Sequence, residues 1–421
     1  MQIIKTIEDV RRSHLCTGCG VCAALEPQRF KMLNIPTEGH RPQVRDDAPE
    51  TTGRAFSACP GIQLHHDYDT SDARLATSMR DAWGPVYEVL EGHACDDEIR
   101  FAASSGGAAT ALALYCLQER AMHGVLHTAA DPDKPYCNRT VFSRDRASLL
   151  AATGSRYAPS SPCAQLAQIA DAAGPCVFIG KPCDIAAARA AQKLSSRLRE
   201  NLGLTIAFFC AGVPNTAASL KLAAQEGAST PERISSLRYR GNGWPGKWAV
   251  EYQGDKDSSE RRELSYAESW HFLQRHRQWR CYICPDHTGE FADISVGDPW
   301  YREVGEDERG SSLIVVRTQR GLDILRGAVA AGYLTVGGND LSLLPRSQPD
   351  LIAVRGNLWA RLHTLRLFGA ATPSFSGFSF FPFWWHELDF TEKLRSILGT
   401  VKRIFTKRLR KPAGLDSGSA G

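Results

Sequence analysis

Three cysteines spaced two residues apart, Cys16-Thr-Gly-Cys19-Gly-Val-Cys22, carry the strongest chemical signal in the chain, and Cys59-Pro60 supplies a fourth thiol further along. Thiolates crowded in this way commonly share a metal cluster, because a CxxCxxC loop can wrap one corner of an iron–sulfur cube. Gly18 and Gly20 let the backbone turn tightly and aim N–H groups at sulfide. The spacing also admits zinc and, less readily, disulfides. A second set is more scattered. Cys281-Tyr-Ile-Cys284 is a lone CxxC, while Cys183 in Gly-Lys-Pro-Cys and Cys210 in Phe-Phe-Cys-Ala-Gly each follow a candidate strand. If those strand ends converge on one edge of a sheet, Cys183, Cys210, Cys281 and Cys284 make a second four-thiol site, for which a cluster and a structural zinc compete on spacing alone. The other five, Cys95, Cys116, Cys137, Cys163 and Cys176, lie mostly on apolar segments and read as small buried hydrophobes.

Bacterial two-cluster ferredoxins read CxxCxxCxxxCP, with the fourth cysteine serving the other cluster. Here Glu26 stands in the fourth place, followed by Pro27. Cys16, Cys19, Cys22 and Cys59 therefore read as the ligands of one [4Fe–4S] cluster in half a ferredoxin module whose other lobe has decayed. Phosphate signals follow. Ser104-Ser105-Gly106-Gly107 precedes a helix carrying Thr110, and free N–H groups at such a terminus suit a phosphate, although Ser-Gly helix starts are common. Gly154-Ser155-Arg156-Tyr157 sets a guanidinium beside a second small turn, and Asp298-Pro299-Trp300 offers a carboxylate and an aromatic face. None of these is a GxGxxG fingerprint, so a standard Rossmann site is not supported.

The elements that must position these groups suggest an α/β core. Strands are expected at 86–91, 124–128, 176–179, 204–210, 292–296 and 312–318, and helices at 107–120, 185–193 with Asp184 as cap, after Pro214, and at 321–331. Several strands end at a Gly, Pro or Cys, where α/β proteins place ligands. The expected organisation is α+β or α/β in three parts: a half-ferredoxin module over 1–68, a mixed flavin-binding core over 85–345, and an extension over 346–421 whose end, from Pro412, is disordered.

The chain has 421 residues with a net charge of +4, which gives no general attraction for nucleic acid. The start lacks the charged, apolar and small-residue order of a signal peptide, and no apolar run approaches the ~18 residues of a membrane span. A cytoplasmic location is expected, where 13 cysteines are better explained by metal than by disulfides.

Taken in order, CTGCGVC at 16–22, SSGGAATAL at 104–112, GSRYAPS at 154–160, FIGKPCDIAAAR at 178–189, FFCAGVPN at 208–215, RCYICPD at 280–286, ADISVGDPW at 292–300 and SSLIVVRTQRG at 311–321 resemble one family over roughly residues 10–345. It is the beta subunit of coenzyme F420 hydrogenases and dehydrogenases, with its 7-hydroxymethyl chlorophyll a reductase and ferredoxin-dependent divinyl chlorophyllide reductase relatives. The resemblance implies two [4Fe–4S] clusters and an FAD near the inner one. By position, Ser104, Ser105, Gly106, Gly107, Thr110, Ser155, Arg156, Tyr157 and Asp298 contact the flavin. Lys181 stands where the family often has a small hydroxylated residue, and its cation is expected to stabilise reduced flavin or to displace a contact. The implied activity passes electrons between a ferredoxin-type donor and an unknown acceptor, coenzyme F420 or an organic small molecule, with Tyr157, His271 or His276 as proton donor. The competing classes are a non-catalytic electron-transfer subunit and a zinc-stapled scaffold in a polysaccharide or lipid-linked biosynthetic assembly.

Beyond 345 the signal changes. An aromatic run over 375–385 precedes Phe390, Leu394, Ile397, Leu398, Val401, Ile404, Phe405 and Leu409 at helical spacing, with Lys and Arg on the other faces. This pattern suits a helix lying on anionic lipid at the inner face of the membrane through 390–411, or one docked on the protein's own core or a partner.

Overall fold

The computed structural model describes residues 3–413 apart from 255–257, 304 and 306–307, so the Gly/Ser/Ala-rich end at 414–421 lies outside the described residues. β1 (Phe30–Ile35) and β2 (Gly39–Val44) form a hairpin, followed by β3 (Gln63–His65). The chain then runs through β4 (Glu88–Ala94), β5 (Gly124–Ala130), β6 (Asn138–Ser143), β7 (Cys176–Gly180) and β8 (Leu202–Phe208). It continues through β9 (Ile234–Arg238), β10 (Lys247–Gln253), β11 (Ser259–Ser265), β12 (Ile294–Gly297), β13 (Ser312–Val316), β14 (Leu334–Val336) and β15 (Ser374–Ser376).

Eight strands build one mixed sheet in the order β14-β4-β13-β12-β8-β7-β5-β6. Its middle strands β12, β8, β7 and β5 are parallel, and antiparallel partners close both sides. β7 and β13 are buried at every position, as their unbroken apolar sequences require of strands covered on both faces. Helices Ala108–Gln118 and Gln319–Ala330 cover one face against Val125, Val177, Leu204 and Ile314, and helix Pro182–Leu194 covers the other against Leu126, Phe178 and Ala207. The expected α/β core is thus observed as a large mixed sheet.

Two local readings are corrected. The helix expected at 185–193 begins at Pro182 with Lys181 as its N-cap residue, and Asp184 sits inside its first turn, accepting the Lys181 backbone N–H at 3.2 Å. Proline is well suited to that first helical position, which moved the start back. The second is a separate antiparallel sheet, β11-β10-β9, that periodicity missed. β11, Ser-Glu-Arg-Arg-Glu-Leu-Ser, is a charged edge strand without apolar alternation.

The segment beyond 345 packs back on the cysteine-rich start. Leu358 and Leu365 from helix Asp350–Leu367, with Ile404 and Leu409, share one core with Ile7, Leu15, Phe30, Cys16, Cys22 and Cys59. β15 also pairs in parallel with β3. Glu290 ties these parts to the core: its carboxylate accepts from Arg355 at 2.7 Å and from His66 at 2.8 Å, and His66 stacks on Phe291 with centroids 4.5 Å apart. Burial alone would raise the Glu290 pKa, but the Arg355 charge and the His66 hydrogen bond outweigh it and hold it near 2, below its ordinary 4.5. A depressed folded-state pKa means that this contribution to stability is complete above pH 4.5 and is lost as pH falls towards 2. Arg355→Met is expected to lower the unfolding free energy by about 3 kcal/mol, since it strips a buried carboxylate of its main counter-charge. Urea unfolding at neutral pH checks this, and Glu290→Gln should flatten the acid limb of stability against pH.

Candidate functional site

Because β7, β8 and β12 run parallel, their C-terminal ends share one edge of the sheet, where the chain leaves as Lys181-Pro182-Cys183, Phe209-Cys210 and Asp298. Cys281 and Cys284 arrive at the same place on and just after the turn Trp279–Ile283. The four cysteines line one small cavity of about 30 Å³ together with Thr17 and Arg280. All four are half-buried, as lining residues of a cavity. The Val213 N–H donates to Cys281 Sγ at 3.4 Å, the Gly212 N–H supports Cys210, and the Cys284 thiol donates to the Asp286 carbonyl at 3.1 Å. Burial pushes the Cys210 and Cys284 thiols up to about 12 and Cys183 well above its ordinary range.

The N-terminal set is buried throughout. Burial first, then the neighbouring thiols of Cys19, Cys16 and Cys59, raise Cys22 well above its ordinary pKa, so the four are mutual neighbours. Each receives a backbone N–H: Gly18 donates to Cys16 Sγ at 3.4 Å, Val21 supports Cys19, Ala23 supports Cys22, and Gly61 and Ile62 support Cys59. Within the CxxCxxC loop Gly18 and Gly20 stand at φ +78° and +89°, and a Cβ on Gly20 would lie 2.9 Å from Ala164. Among the described residues no three His, Cys, Asp or Glu side chains converge closely enough for a single metal ion. Four buried neighbouring thiols, each with an N–H donor, fit a group that would hold them as thiolates, such as an iron–sulfur cluster. Glu26 accepts from Thr51 and Thr52 hydroxyls and the Ala55 N–H, holding the short helix Arg54–Ser57 that leads to Cys59.

The two sets adjoin. Cys19 acts electrostatically on Cys183, and Thr17, between Cys16 and Cys19, lines the second cavity. Cys163, read from sequence as a plain buried hydrophobe, is buried but hydrogen-bonds Cys19 and donates to the Asp184 carbonyl. Cys116 and Cys176 are buried as expected, whereas Cys95 is exposed and Cys137 half-buried, both near polar loops.

A larger cavity of about 310 Å³ shares Cys210, Gly212, Val213 and His287 with the small one. Of the residues expected at a flavin, Ser104, Ser105, Gly107, Thr110, Ser155, Arg156, Tyr157, Lys181 and Asp298 line it. Gly106 instead presses on β13 and β4, where a Cβ would meet Ser312 N at 2.6 Å and the Gly92 carbonyl at 2.7 Å. The two cations are engaged internally. Arg156 donates to Asn138 and to the Leu237, Pro135 and Cys137 carbonyls, and the Lys181 ammonium pairs with Asp184 at 2.7 Å. Burial works against the Lys181 charge, and the Asp184 carboxylate beside it outweighs that penalty, so the ammonium persists.

Arg240, just past β9, was missed. It forms a two-point pair with Asp298, both contacts 2.8 Å, and Asp298 also accepts from Trp244 Nε1 at 2.8 Å. The Arg240 guanidinium lies 4.6 Å above the Tyr266 ring, and Tyr266 stacks on Trp300 at 5.7 Å. The only sequence signal was the Gly- and Trp-rich run Gly241-Asn-Gly-Trp-Pro-Gly that follows it. Neither His271 nor His276 lines the cavity. His127, held near pKa 4 by burial, and His287, whose Nδ1 meets the Cys210 carbonyl at 2.7 Å, do.

Residues 89–168 match the family model for the N-terminal part of the coenzyme F420 hydrogenase/dehydrogenase beta subunit, and residues 175–340 match the model for its C terminus. The coenzyme F420 hydrogenase subunit beta of Methanosarcina barkeri is 26% identical over 268 residues, covering 59% of this chain and 81% of that protein. The coenzyme F420-dependent sulfite reductase of Methanocaldococcus jannaschii is 22% identical over 76% of this chain, which spans about half (46%) of that protein. The fold is similar to that of a chain in the F420-reducing [NiFe] hydrogenase complex from Methanosarcina barkeri, with a TM-score of 0.52 and 22% identity over 68% of this chain and 95% of that one.

Asp298→Ala is expected to leave the Arg240 guanidinium buried without its counter-charge and to lower stability by about 3–5 kcal/mol. Asp298→Asn, which keeps an oxygen for Trp244, should lose less. An unchanged urea midpoint for Asp298→Ala would contradict the role given to the pair.

Proposed function

The chain belongs to the coenzyme F420 hydrogenase/dehydrogenase beta-subunit family, and from that premise we propose that it is an iron–sulfur flavoprotein oxidoreductase. It exchanges electrons between a one-electron donor of the ferredoxin type and a two-electron acceptor, coenzyme F420 or an organic molecule. The observation that carries the reading is spatial: two four-thiol sets and the large cavity lie in series, joined at Cys19 and Cys183 and again at Cys210.

In this reading Cys16, Cys19, Cys22 and Cys59 hold one [4Fe–4S] cluster, Cys183, Cys210, Cys281 and Cys284 hold the second, and the large cavity takes FAD. FAD, when bound, supplies the exchange between one-electron and two-electron chemistry. The protein's own residues provide placement. Gly107, at φ +77°, opens helix Ala108–Gln118, whose first N–H groups with Ser105 and Thr110 suit a phosphate. Tyr266 and Trp300 offer flat faces for a ring system, and Asp298 neutralises the Arg240 beside them. The Tyr157 hydroxyl, 3.4 Å from Arg240 Nη1, is the candidate proton donor at the cavity wall. Lys181 keeps a cation between the second thiol set and the cavity, balanced by Asp184. A second reading, a non-catalytic relay, is favoured by the similar solved chain being part of a complex.

Anaerobic purification tests the proposal. Bound flavin and about eight irons per chain are expected, four per cluster. Cys59→Ala and Cys281→Ala should each remove about half of the iron. Zinc without iron or flavin would overturn the reading. Turnover of F420 by the isolated chain with reduced ferredoxin favours enzyme over relay.

A further inference from the structure

Helix Phe390–Thr406 is seated with its polarity reversed. The side facing the protein is small and largely polar: Ser396, Thr400 and Ile404 are buried, and the Ser396 hydroxyl accepts from Trp384 Nε1 at 3.3 Å. The side facing outward is apolar: Phe390, Leu394, Leu398 and Phe405 are 77%, 44%, 56% and 58% exposed. Their spacing puts them on one stripe, about 22 Å long at ~1.5 Å rise per residue. Trp385 and Phe381 of the preceding helix are exposed as well, and the Lys393 ammonium lies 5.4 Å over the Trp385 ring. By helical rotation Arg395 and Lys402 flank the stripe on its solvent side, and both are exposed. Residues 393–411 carry eight Lys or Arg and no Asp or Glu.

We propose that this face is a docking surface for an anionic lipid membrane, with the stripe at the acyl boundary and the flanking cations at the headgroup phosphates. A helix that turns its apolar side away from its own core needs another apolar phase to cover it, and eight cations without a single acidic residue beside them call for a continuous negative surface along that phase. A second copy of the chain would bring like charges together along the same face, which disfavours it. No described helix is long and apolar enough to cross a membrane, so the helix lies on the surface rather than spanning it. The inference is independent of the redox reading, because it uses neither cysteine set nor either cavity. It has a consequence for the first cysteine set, since Ile404 and Leu409 share a core with Cys16, Cys22 and Cys59 and so bring that set towards the lipid.

Vesicle flotation of the full chain tests this. Vesicles of phosphatidylcholine with about 30 mol % phosphatidylglycerol should bind at least about tenfold more protein than phosphatidylcholine alone, and ~0.5 M salt should weaken the binding. The double variant Leu398→Glu/Phe405→Glu alters only exposed positions and should abolish flotation with an unchanged thermal midpoint. Should that midpoint fall, Arg395→Glu/Lys402→Glu makes the same test through charge alone. Absence of binding to anionic vesicles, or equal binding by the variants, overturns the proposal. So does a dimer in solution that the first variant dissolves, which would assign the face to a second copy.

Discussion

A thiol removed from water stays protonated unless positive charge or N–H donors stand beside it, and this constraint organises the protein around its cysteines. Burial raises Cys16, Cys22, Cys59, Cys183, Cys210 and Cys284 above their ordinary range. The backbone answers in the N-terminal set with an N–H for every sulfur, which is what the left-handed Gly18 and Gly20 make possible. In the second set the answer comes from topology. Parallel β7 and β8 end side by side, and loops leaving that edge bring Cys183 and Cys210 to the turn that carries Cys281. The sheet is therefore the device that assembles thiols more than 100 positions apart in sequence into one small cavity.

The same logic explains the odd fate of Glu26 and the tight attachment of the C-terminal segment. Glu26 ties the N-terminal segment together with three hydrogen bonds to 51–55. That segment shares its core with Leu358, Leu365, Ile404 and Leu409, while Glu290, Arg355 and His66 lock the assembly to the sheet. Membership of the family carries the scaffold across, whereas similarity of fold does not transfer an acceptor.

What could be read beforehand was whatever local spacing encodes. CxxCxxC, the Gly-Gly helix start and the apolar strands ending at Cys183 and Cys210 are all short-range patterns; Cys183 and Cys210 meet Cys281 and Cys284 in one cavity, while Gly106 of the helix start presses on β13 and β4 instead. β9 to β11 escaped because a charged edge strand such as β11 has no alternation to detect. Arg240 escaped because its importance arises only when a second sheet folds over the cavity. Arg156 was given a phosphate because a guanidinium beside a small turn invites one; buried carbonyls from 135, 137 and 237 had the prior claim. For helix Phe390–Thr406 the periodicity revealed an apolar stripe but not its direction, since a stripe facing the core and one facing away have the same sequence.

Low-temperature EPR of the anaerobically reduced full chain tests most directly whether the two thiol sets act as one path. Their proximity, with Thr17 of the first set lining the cavity of the second, predicts signals broadened by spin coupling between two clusters, collapsing to a single uncoupled signal in Cys59→Ala. Two uncoupled signals in the unaltered protein, or a folded protein without any iron signal, would contradict it.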